Sequence, residues 1–337
     1  MFLVEKMKIL FDARWDGDHG IGRFARELDQ RLRLPHLRIG GSPSSPFDPI
    51  RLLYAMWFST AKAECVFSPG YNSPLFVVRP YVFTILDLNH IDRLENSSFL
   101  KRLYYRFIMR RAARNAFRVL TISEFSLQRI AEWASVNQNQ VVNVGCGVES
   151  CYHPSVQPYA PGYDYLLCVS NRKAHKNEPR ILEAFAHANI DTAIHLIFTG
   201  PANEILLSLS RQYGVESRVV FAGRIPEKDL PSLYRGAIAL VFPSLYEGFG
   251  LPVIEAMACG TPVLTSNATA LPEVSGDAAL LVDPLSVEEI SEGIERICTD
   301  NVLREMLQQK GLLQAAQYPW SKVVEKVKAV LIDLENS

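Results

Sequence analysis

A chain of 337 residues is long for a single hydrophobic core, so two domains of ordinary size are expected. With 48% hydrophobic and 21% charged residues and a formal net charge of -1, the composition is that of a soluble globular protein and gives no general attraction for nucleic acid. No apolar run approaches the roughly 18 residues a membrane-spanning helix needs, and the opening Met-Phe-Leu-Val-Glu-Lys-Met is too short, with its charges on the wrong side, for a secretory signal.

In the first half, apolar runs with strand character fall at residues 8–13, 37–40, 65–68, 81–86, 118–122 and 141–144. Helical patterns lie between them at 21–34, 49–61, 97–116 and 123–134. Alternation of this kind specifies a parallel sheet covered by helices. After the first strand comes Arg14-Trp-Asp-Gly-Asp-His-Gly20-Ile-Gly22-Arg-Phe-Ala25. Gly20-x-Gly22-x-x-Ala25 matches the dinucleotide fingerprint, but that motif follows its strand at once, and here the segment from Arg14 to His19 intervenes. Asp16-Gly-Asp18 has the form of a D-x-D metal clamp; so short a string is common by chance, and a solvated turn is the simpler reading. The strand at 81–86 ends on Asp87-Leu-Asn-His90-Ile-Asp92, and polar residues at strand C-termini line the ligand crevice of open α/β sheets. For His90 a capping or surface role stands beside a substrate contact.

The helix at 97–116 carries Arg102, Arg106, Arg110 and Arg114 at intervals of four, along one slowly drifting face, with Leu103, Tyr104, Phe107 and Ile108 supplying an apolar face. A basic amphipathic helix of this kind suits anionic lipid headgroups, and a solvated outer face is the competing explanation. Ser123 stands where the next helix needs an N-cap.

Between 144 and 164 the pattern breaks into Gly145-Cys-Gly147, His153-Pro154, Pro158 and Pro161-Gly162, which reads as an interdomain linker. A second alternation follows, with strands at 165–169, 194–199, 219–222, 237–242, 261–264 and 278–282. The first of these runs into Ser170-Asn-Arg172-Lys-Ala-His-Lys176-Asn177, and the third into Gly223-Arg224-Ile225. The fourth stops at Pro243-Ser244; a turn carries Glu247-Gly-Phe-Gly250, and Pro252 opens a helix, making a strand, loop and helix in succession. Proline suits the first helical turn, where its missing N–H has no intrahelical partner. Gly248 and Gly250 let the backbone approach a ligand closely, and the N–H groups of the helix start make an anion site suited to phosphate. Glu247 and Glu255 flank that cradle, so carboxylates can take sugar hydroxyls while amides take phosphates. Helices follow at 287–299, 302–317 and 320–334, with Ser286 and Glu289 spaced as a capping box. The six cysteines contain no C-x-x-C pair and read as small buried hydrophobes in a reducing cytoplasm. The seven histidines show no metal spacing, so no dedicated metal site is expected.

The string Glu247-Gly-Phe-Gly-Leu-Pro-Val-Ile-Glu255-Ala-Met-Ala-Cys-Gly-Thr-Pro-Val263 resembles the E-x7-E signature of the retaining GT-B glycosyltransferases of family four. The resemblance covers nearly the whole chain and is most specific in its second half. It implies an α/β protein of GT-B type: two Rossmann-like, doubly wound domains facing across a cleft. Residues 1–150 would bind the acceptor and 160–318 the nucleotide sugar, with 319–337 packing back on the first domain. It also implies roles. Gly22 lies in the β1–α1 loop over the donor phosphates, Arg172 and Lys176 neutralise the diphosphate, and Arg224 and Ile225 lie at the nucleobase. The amides of Gly248, Phe249, Gly250 and Leu251 stabilise the leaving group, Glu247 orients the sugar and Glu255 holds the ribose. Relatives often carry His-Asp where this chain has Leu86-Asp87; the departure leaves Asp87 and His90 as candidates on the acceptor or sugar side.

The activity implied is retaining transfer of a hexose from a nucleotide diphosphate sugar to a carbohydrate or lipid-linked saccharide, in cell-surface polysaccharide synthesis, without metal or cofactor. Glu247, Arg172 and Lys176 would carry catalysis, since fixed cations and helix-start amides offset the charge of a departing nucleoside diphosphate. The string Asn171-Arg-Lys-Ala-His-Lys-Asn177 is similar to bacterial surface-polysaccharide mannosyltransferases and points to mannose from GDP-mannose. The expected location is cytoplasmic and peripheral, on the inner membrane face through the Arg102 to Arg114 helix. A nucleotide-sugar 2-epimerase and a non-catalytic nucleotide-sugar binding protein of the same fold are the alternatives, with a dinucleotide dehydrogenase third.

Overall fold

The computed structural model describes residues 8–15, 17, 20–58, 64–93, 95 and 97–335. The chain divides into two compact units, Met1–Gly147 with Trp320–Ser337, and Val148–Pro319.

The first unit holds β1 (Lys8–Phe11), α1 (Gly20–Leu32), α2 (Asp48–Phe58), β2 (Glu64–Ser68), β3 (Tyr81–Thr84), α3 (Asn89–Asp92), α4 (Phe99–Tyr104), α5 (Arg110–Asn115), β4 (Arg118–Thr121), α6 (Glu124–Ala134) and β5 (Val141–Asn143). Its strands lie parallel in the order β1-β2-β3-β4-β5. The runs are apolar because a parallel sheet is covered on both faces: all four residues of β3 are buried.

The segment 37–40 is not a strand. It makes a single bridge, Phe11 to His36, in which the Phe11 N–H donates to the Pro35 carbonyl and the Leu37 N–H to the Phe11 carbonyl, both at 2.8 Å. Pro35 has no N–H to extend that ladder, and Gly40-Gly41 ends it with φ +84° at Gly41. The outer edge of β1 is therefore one rung deep. Beside it opens a cavity of about 1250 Å³ lined in part by Lys8, Arg38, Arg51 and Tyr54.

The helix expected at 97–116 starts later and is not uniform. Ser98 caps it, accepting from the Lys101 N–H at 3.3 Å, and a π-helical stretch, Tyr105–Met109, separates α4 from α5. A step of four residues overshoots an α turn of about 3.6 and undershoots the wider π turn, so the two drifts offset each other. Arg102, Arg106 and Arg110 consequently stay in line and border one groove of about 480 Å³ with Phe99, Leu103 and Trp133. Arg114 leaves the row and donates through Nε to the Ala134 carbonyl at 2.6 Å. Ser123 caps α6, accepting from the Ser126 N–H at 3.1 Å. The C-terminal helix Trp320–Glu335 belongs to this unit: Trp320 meets Phe24 at 6.0 Å between ring centroids, and Asp333 accepts from Arg118 at 2.9 Å.

The second unit holds β6 (Tyr165–Cys168), α7 (Glu178–His187), β7 (His195–Phe198), α8 (Glu204–Gln212), β8 (Val219–Phe221), α9 (Leu230–Gly236), β9 (Ala239–Phe242), α10 (Leu251–Ala258), β10 (Val263–Ser266), α11 (Leu271–Ser275), β11 (Leu280–Val282), α12 (Val287–Thr299) and α13 (Asn301–Ala315). The sheet order is β11-β10-β9-β6-β7-β8, all parallel. From β6 the chain winds outward through β7 and β8, then returns to the other side of β6 at β9. Alternate residues of β6 enter opposite cores. Leu166 and Cys168 pack with Phe185 and Ile290, while Tyr165 and Leu167 pack with Tyr234 and Met257.

Two local expectations need correction. Ser286 accepts from the Glu289 N–H at 3.1 Å, but the Glu289 carboxylate takes the Asp283 N–H at 2.8 Å instead of that of Ser286, because a turn at 283–286 presents it first. Among the cysteines, Cys65, Cys146, Cys168 and Cys259 are buried, whereas Cys151 is exposed in the irregular segment after Gly147 and Cys298 is half-buried.

Candidate active site

The reversal of winding in the second unit puts the loops after β6 and β9 side by side at the carboxyl ends of adjacent strands, where open α/β sheets form their ligand crevices. The loop after β6 runs through two left-handed residues, Arg172 at φ 63° and Asn177 at φ 62°, around a 3-10 turn, Ala174–Lys176. Lys176 leaves that turn and donates through Nζ to Glu247 Oε1 at 2.7 Å, with Nζ 4.6 Å from the centre of the Phe242 ring. Ser244 Oγ donates to the same oxygen at 2.6 Å, and the Glu247 N–H donates to Thr269 Oγ1 at 3.1 Å. Both side chains of the ion pair keep some exposure, 12% for Lys176 and 13% for Glu247, so a ligand can reach them.

Arg172 is held more firmly. Its guanidinium lies 5.7 and 5.5 Å from the ring centres of Phe198 and Phe221. Nε donates to the Pro201 carbonyl at 2.8 Å, Nη2 to the Gly200 carbonyl at 2.9 Å, and Nη1 to the Glu178 carboxylate. Three of its five N–H groups are thus committed and two remain for a ligand. Gly200 and Gly223 exchange backbone hydrogen bonds at 2.6 and 3.2 Å, which ties the loop carrying Arg224 and Ile225 to the carbonyl that Arg172 uses. Arg224 is exposed, and Ile225 packs half-buried on the core.

In the loop after β9, Gly250 has φ +102°, and a Cβ placed there would lie 2.5 Å from Leu271 Cδ2, so both backbone and space demand glycine. Gly250 is the N-cap of α10, and its carbonyl accepts from the Val253 N–H at 2.9 Å. The N–H groups of Phe249, Gly250 and Leu251 have no acceptor among the described residues. Gly248 is buried beside them, and the Phe249 ring is buried edge-on to Tyr318 at 5.5 Å. Glu255 lies inside α10, 1% exposed, with Oε2 accepting from the Tyr234 hydroxyl at 2.8 Å.

Arg172, Lys176, Glu247 and the amides of 249–251 therefore gather at two adjacent strand ends, with the Arg224 loop tethered to them. The first unit holds the other candidates. A Cβ on Gly22 would collide with the Gly17 carbonyl oxygen. Asp87 Oδ1 accepts from the Asn89 N–H at 2.9 Å at the start of α3, and Leu86 is buried. His90 Nε2 lies 3.1 Å from Lys101 Nζ, so it is the acceptor in that bond. Asp16 and Asp18 lie outside the described residues. Among the described residues, no three His, Cys, Asp or Glu side chains gather in a metal-holding group. Sequence reasoning does not single out Glu178, Ser244, Thr269 or Tyr234 as partners of these residues; Ser244 and Thr269 lie just past strand ends, whereas Glu178 and Tyr234 lie in α7 and α9 and carry no such signal.

Residues 155–314 match the family described as Glycosyl transferases group 1. The O-antigen chain mannosyltransferase B of Escherichia coli is 35% identical over 216 residues, which is 60% of this chain but only 57% of that protein. Among solved structures, sucrose-phosphate synthase from Thermosynechococcus elongatus aligns with TM-score 0.78 at 18% identity, covering 98% of this chain and 99% of that one. Anabaena HepE in complex with UDP and glucose aligns with TM-score 0.76 at 18% identity, covering 97% and 100%. Likeness at that identity shows the fold, which is GT-B. Residues 155–314, which hold Arg172, Lys176, Glu247 and Glu255, are the part of the chain that matches the group 1 glycosyl transferases.

Proposed function

We propose that this protein transfers a hexose, mannose from GDP-mannose, to a saccharide or lipid-linked saccharide acceptor in cell-surface polysaccharide synthesis, with retained anomeric configuration. The observation that carries the reading is the Lys176–Glu247 pair at the reversal of the second sheet, beside the amides of 249–251. As the glycosidic bond stretches, negative charge collects on the departing diphosphate. Lys176, the two remaining N–H groups of Arg172 and these amides face that charge without reorganising, which lowers the barrier. They supply there the positive charge a metal ion would otherwise bring, so no divalent cation or cofactor is required. Glu247 orients the sugar hydroxyls, Glu255 the ribose, and Arg224 and Ile225 the base. The departing phosphate accepts the acceptor's proton on the same sugar face, which retains the configuration. The choice of mannose is supported by the name of the Escherichia coli relative.

The second unit recognises the donor. The first serves the acceptor, with Gly22, Asp87 and His90 as candidate contacts. The protein works at the inner face of the cytoplasmic membrane. The aligned row of Arg102, Arg106 and Arg110 supports that placement, together with Phe99, Leu100 and Phe107, which are 67%, 75% and 60% exposed. Co-sedimentation with phosphatidylglycerol vesicles and not with phosphatidylcholine vesicles is the expected result. Equal binding to both, or to neither, removes the row from that role.

Release of nucleoside diphosphate from GDP-mannose and from UDP-glucose, measured with acceptor and in EDTA, tests the reaction. Release from GDP-mannose that needs acceptor and survives EDTA is expected. Conversion of the donor alone would identify an epimerase, and nucleotide binding without release a binding protein.

A further inference from the structure

We propose that Asn177 is the positioning residue that sets Lys176 against the donor diphosphate; the inference rests on the donor-binding reading above. Asn177 is 2% exposed and sits in the left-handed region at φ 62°, ψ 23°, directly after Lys176. Glycine would take that backbone more easily, so the conformation alone gives no reason for an asparagine. What asparagine adds is its amide. Nδ2 donates to the Pro243 carbonyl at 3.0 Å and to the Pro284 carbonyl at 2.7 Å, and Oδ1 accepts from Arg180 Nη1 at 2.9 Å. Pro243 follows β9 and Pro284 lies beyond β11, so one side chain fastens the loop after β6 to the ends of two other strands.

The fastening is local to the chemistry. Pro243 opens the loop that carries Glu247, and Lys176 reaches that glutamate from the residue beside Asn177. On the opposite side of the turn, the His175 carbonyl accepts from the Leu245 N–H at 2.7 Å. That bond ties the turn to the β9 loop only. Among the described residues, the bond to Pro284 is the tie to the β11 end that keeps the turn from pivoting about His175. Lys176 acts through a single ammonium on a flexible stem, so its aim depends on where its backbone is held.

The test is a double-substitution cycle on the full chain, read by GDP binding in calorimetry and by nucleoside diphosphate release from GDP-mannose. Asn177→Gly keeps the backbone and deletes the three bonds. It is expected to lower kcat about 10- to 100-fold through misplacement of Lys176, with a smaller change in KM and a thermal midpoint within a few degrees of wild type. In a Lys176→Ala background the same change is expected to cost less than about twofold, because the group it positions is gone. Asn177→Asp, which keeps the shape and the Arg180 bond but cannot donate, runs in parallel and carries the same expectation should the glycine variant fail to fold. Losses that multiply in full with Lys176→Ala show a merely structural residue and overturn the proposal, as does an Asn177 variant with wild-type kcat. A wild-type chain that binds no GDP overturns the donor reading itself and the positioning role with it.

Discussion

Each sheet carries a polar cluster at the carboxyl ends of two adjacent strands, and the two clusters are furnished differently. In the first unit, the ends of β1 and β2 hold Asp12, Asn72, Ser68 and, from α2, Asp48, all 2% exposed or less. Arg14 donates to Asp12 through Nε and Nη2 at 2.8 Å each and to Asp48 through Nη1 at 2.5 Å and Nη2 at 3.3 Å, which commits four of its five N–H groups. Asn72 donates to Asp12 at 2.5 Å and accepts from Ser68 at 2.7 Å, and its carbonyl takes the Tyr81 hydroxyl at 2.5 Å. In the second unit, Arg172, Lys176 and three amides keep unused donors, and the two cationic side chains keep some contact with solvent. Adjacent parallel strand ends thus yield a closed polar knot in one place and a cluster with unspent donors in the other. The deciding quantity is how much hydrogen-bonding capacity the protein leaves unspent.

Removing the central cation from each cluster breaks the comparison if the two respond alike. Arg14→Leu strands two buried carboxylates and is expected to destabilise the protein by about 3–5 kcal/mol, seen as a lower denaturation midpoint. Lys176→Ala is expected to leave that midpoint nearly unchanged while transfer falls about 100- to 1000-fold. A large stability loss with Lys176→Ala would show that its ion pair is structural. Gly250→Ala, forced into the left-handed region against Leu271, is expected to cost about 1–3 kcal/mol and to impair GDP binding in calorimetry.

The smallest effect concerns pH. Burial raises the Asp48 carboxyl above its ordinary value of 3.8, outweighing the opposing hydrogen bond and charge of Arg14. A carboxyl raised on folding binds its proton more tightly in the folded chain, so its contribution is fully present below pH 3.8 and is lost as pH rises through the raised value. Asp48→Asn removes that titration. Its unfolding free energy, measured by denaturant titration from pH 3.5 upward, is expected to decline less with pH than that of wild type across this window. Identical slopes would remove Asp48 from the account.

All six strands of the second sheet stand in the sequence as short apolar runs, because a strand covered on both faces carries that pattern by itself. Residues 37–40 carry the same pattern without the structure, since Pro35 supplies no N–H to the ladder and Gly41, at φ +84°, leaves the extended region. The π stretch leaves no trace in an arginine spacing compatible with either helix. At the candidate site, Arg172, Lys176, Gly250 and Glu247 are legible as polar and glycine residues just past strand ends. What holds them is not, because many of the fastenings of Arg172 and Asn177 are to main-chain carbonyls: Gly200, Pro201, Pro243 and Pro284. A carbonyl is present at every residue, so a sequence does not reveal which one is used.

The setting of Arg172 against two stacked aromatic rings and three acceptors also bears on affinity at the proposed donor site. A long cationic side chain that is loose before a ligand arrives gives up about 1.5–2 kcal/mol of rotamer freedom when captured. Here the guanidinium is already immobilised by folding, so association does not incur that entropy again. At about 1.4 kcal/mol per tenfold, the saving is worth roughly an order of magnitude or more in the dissociation constant.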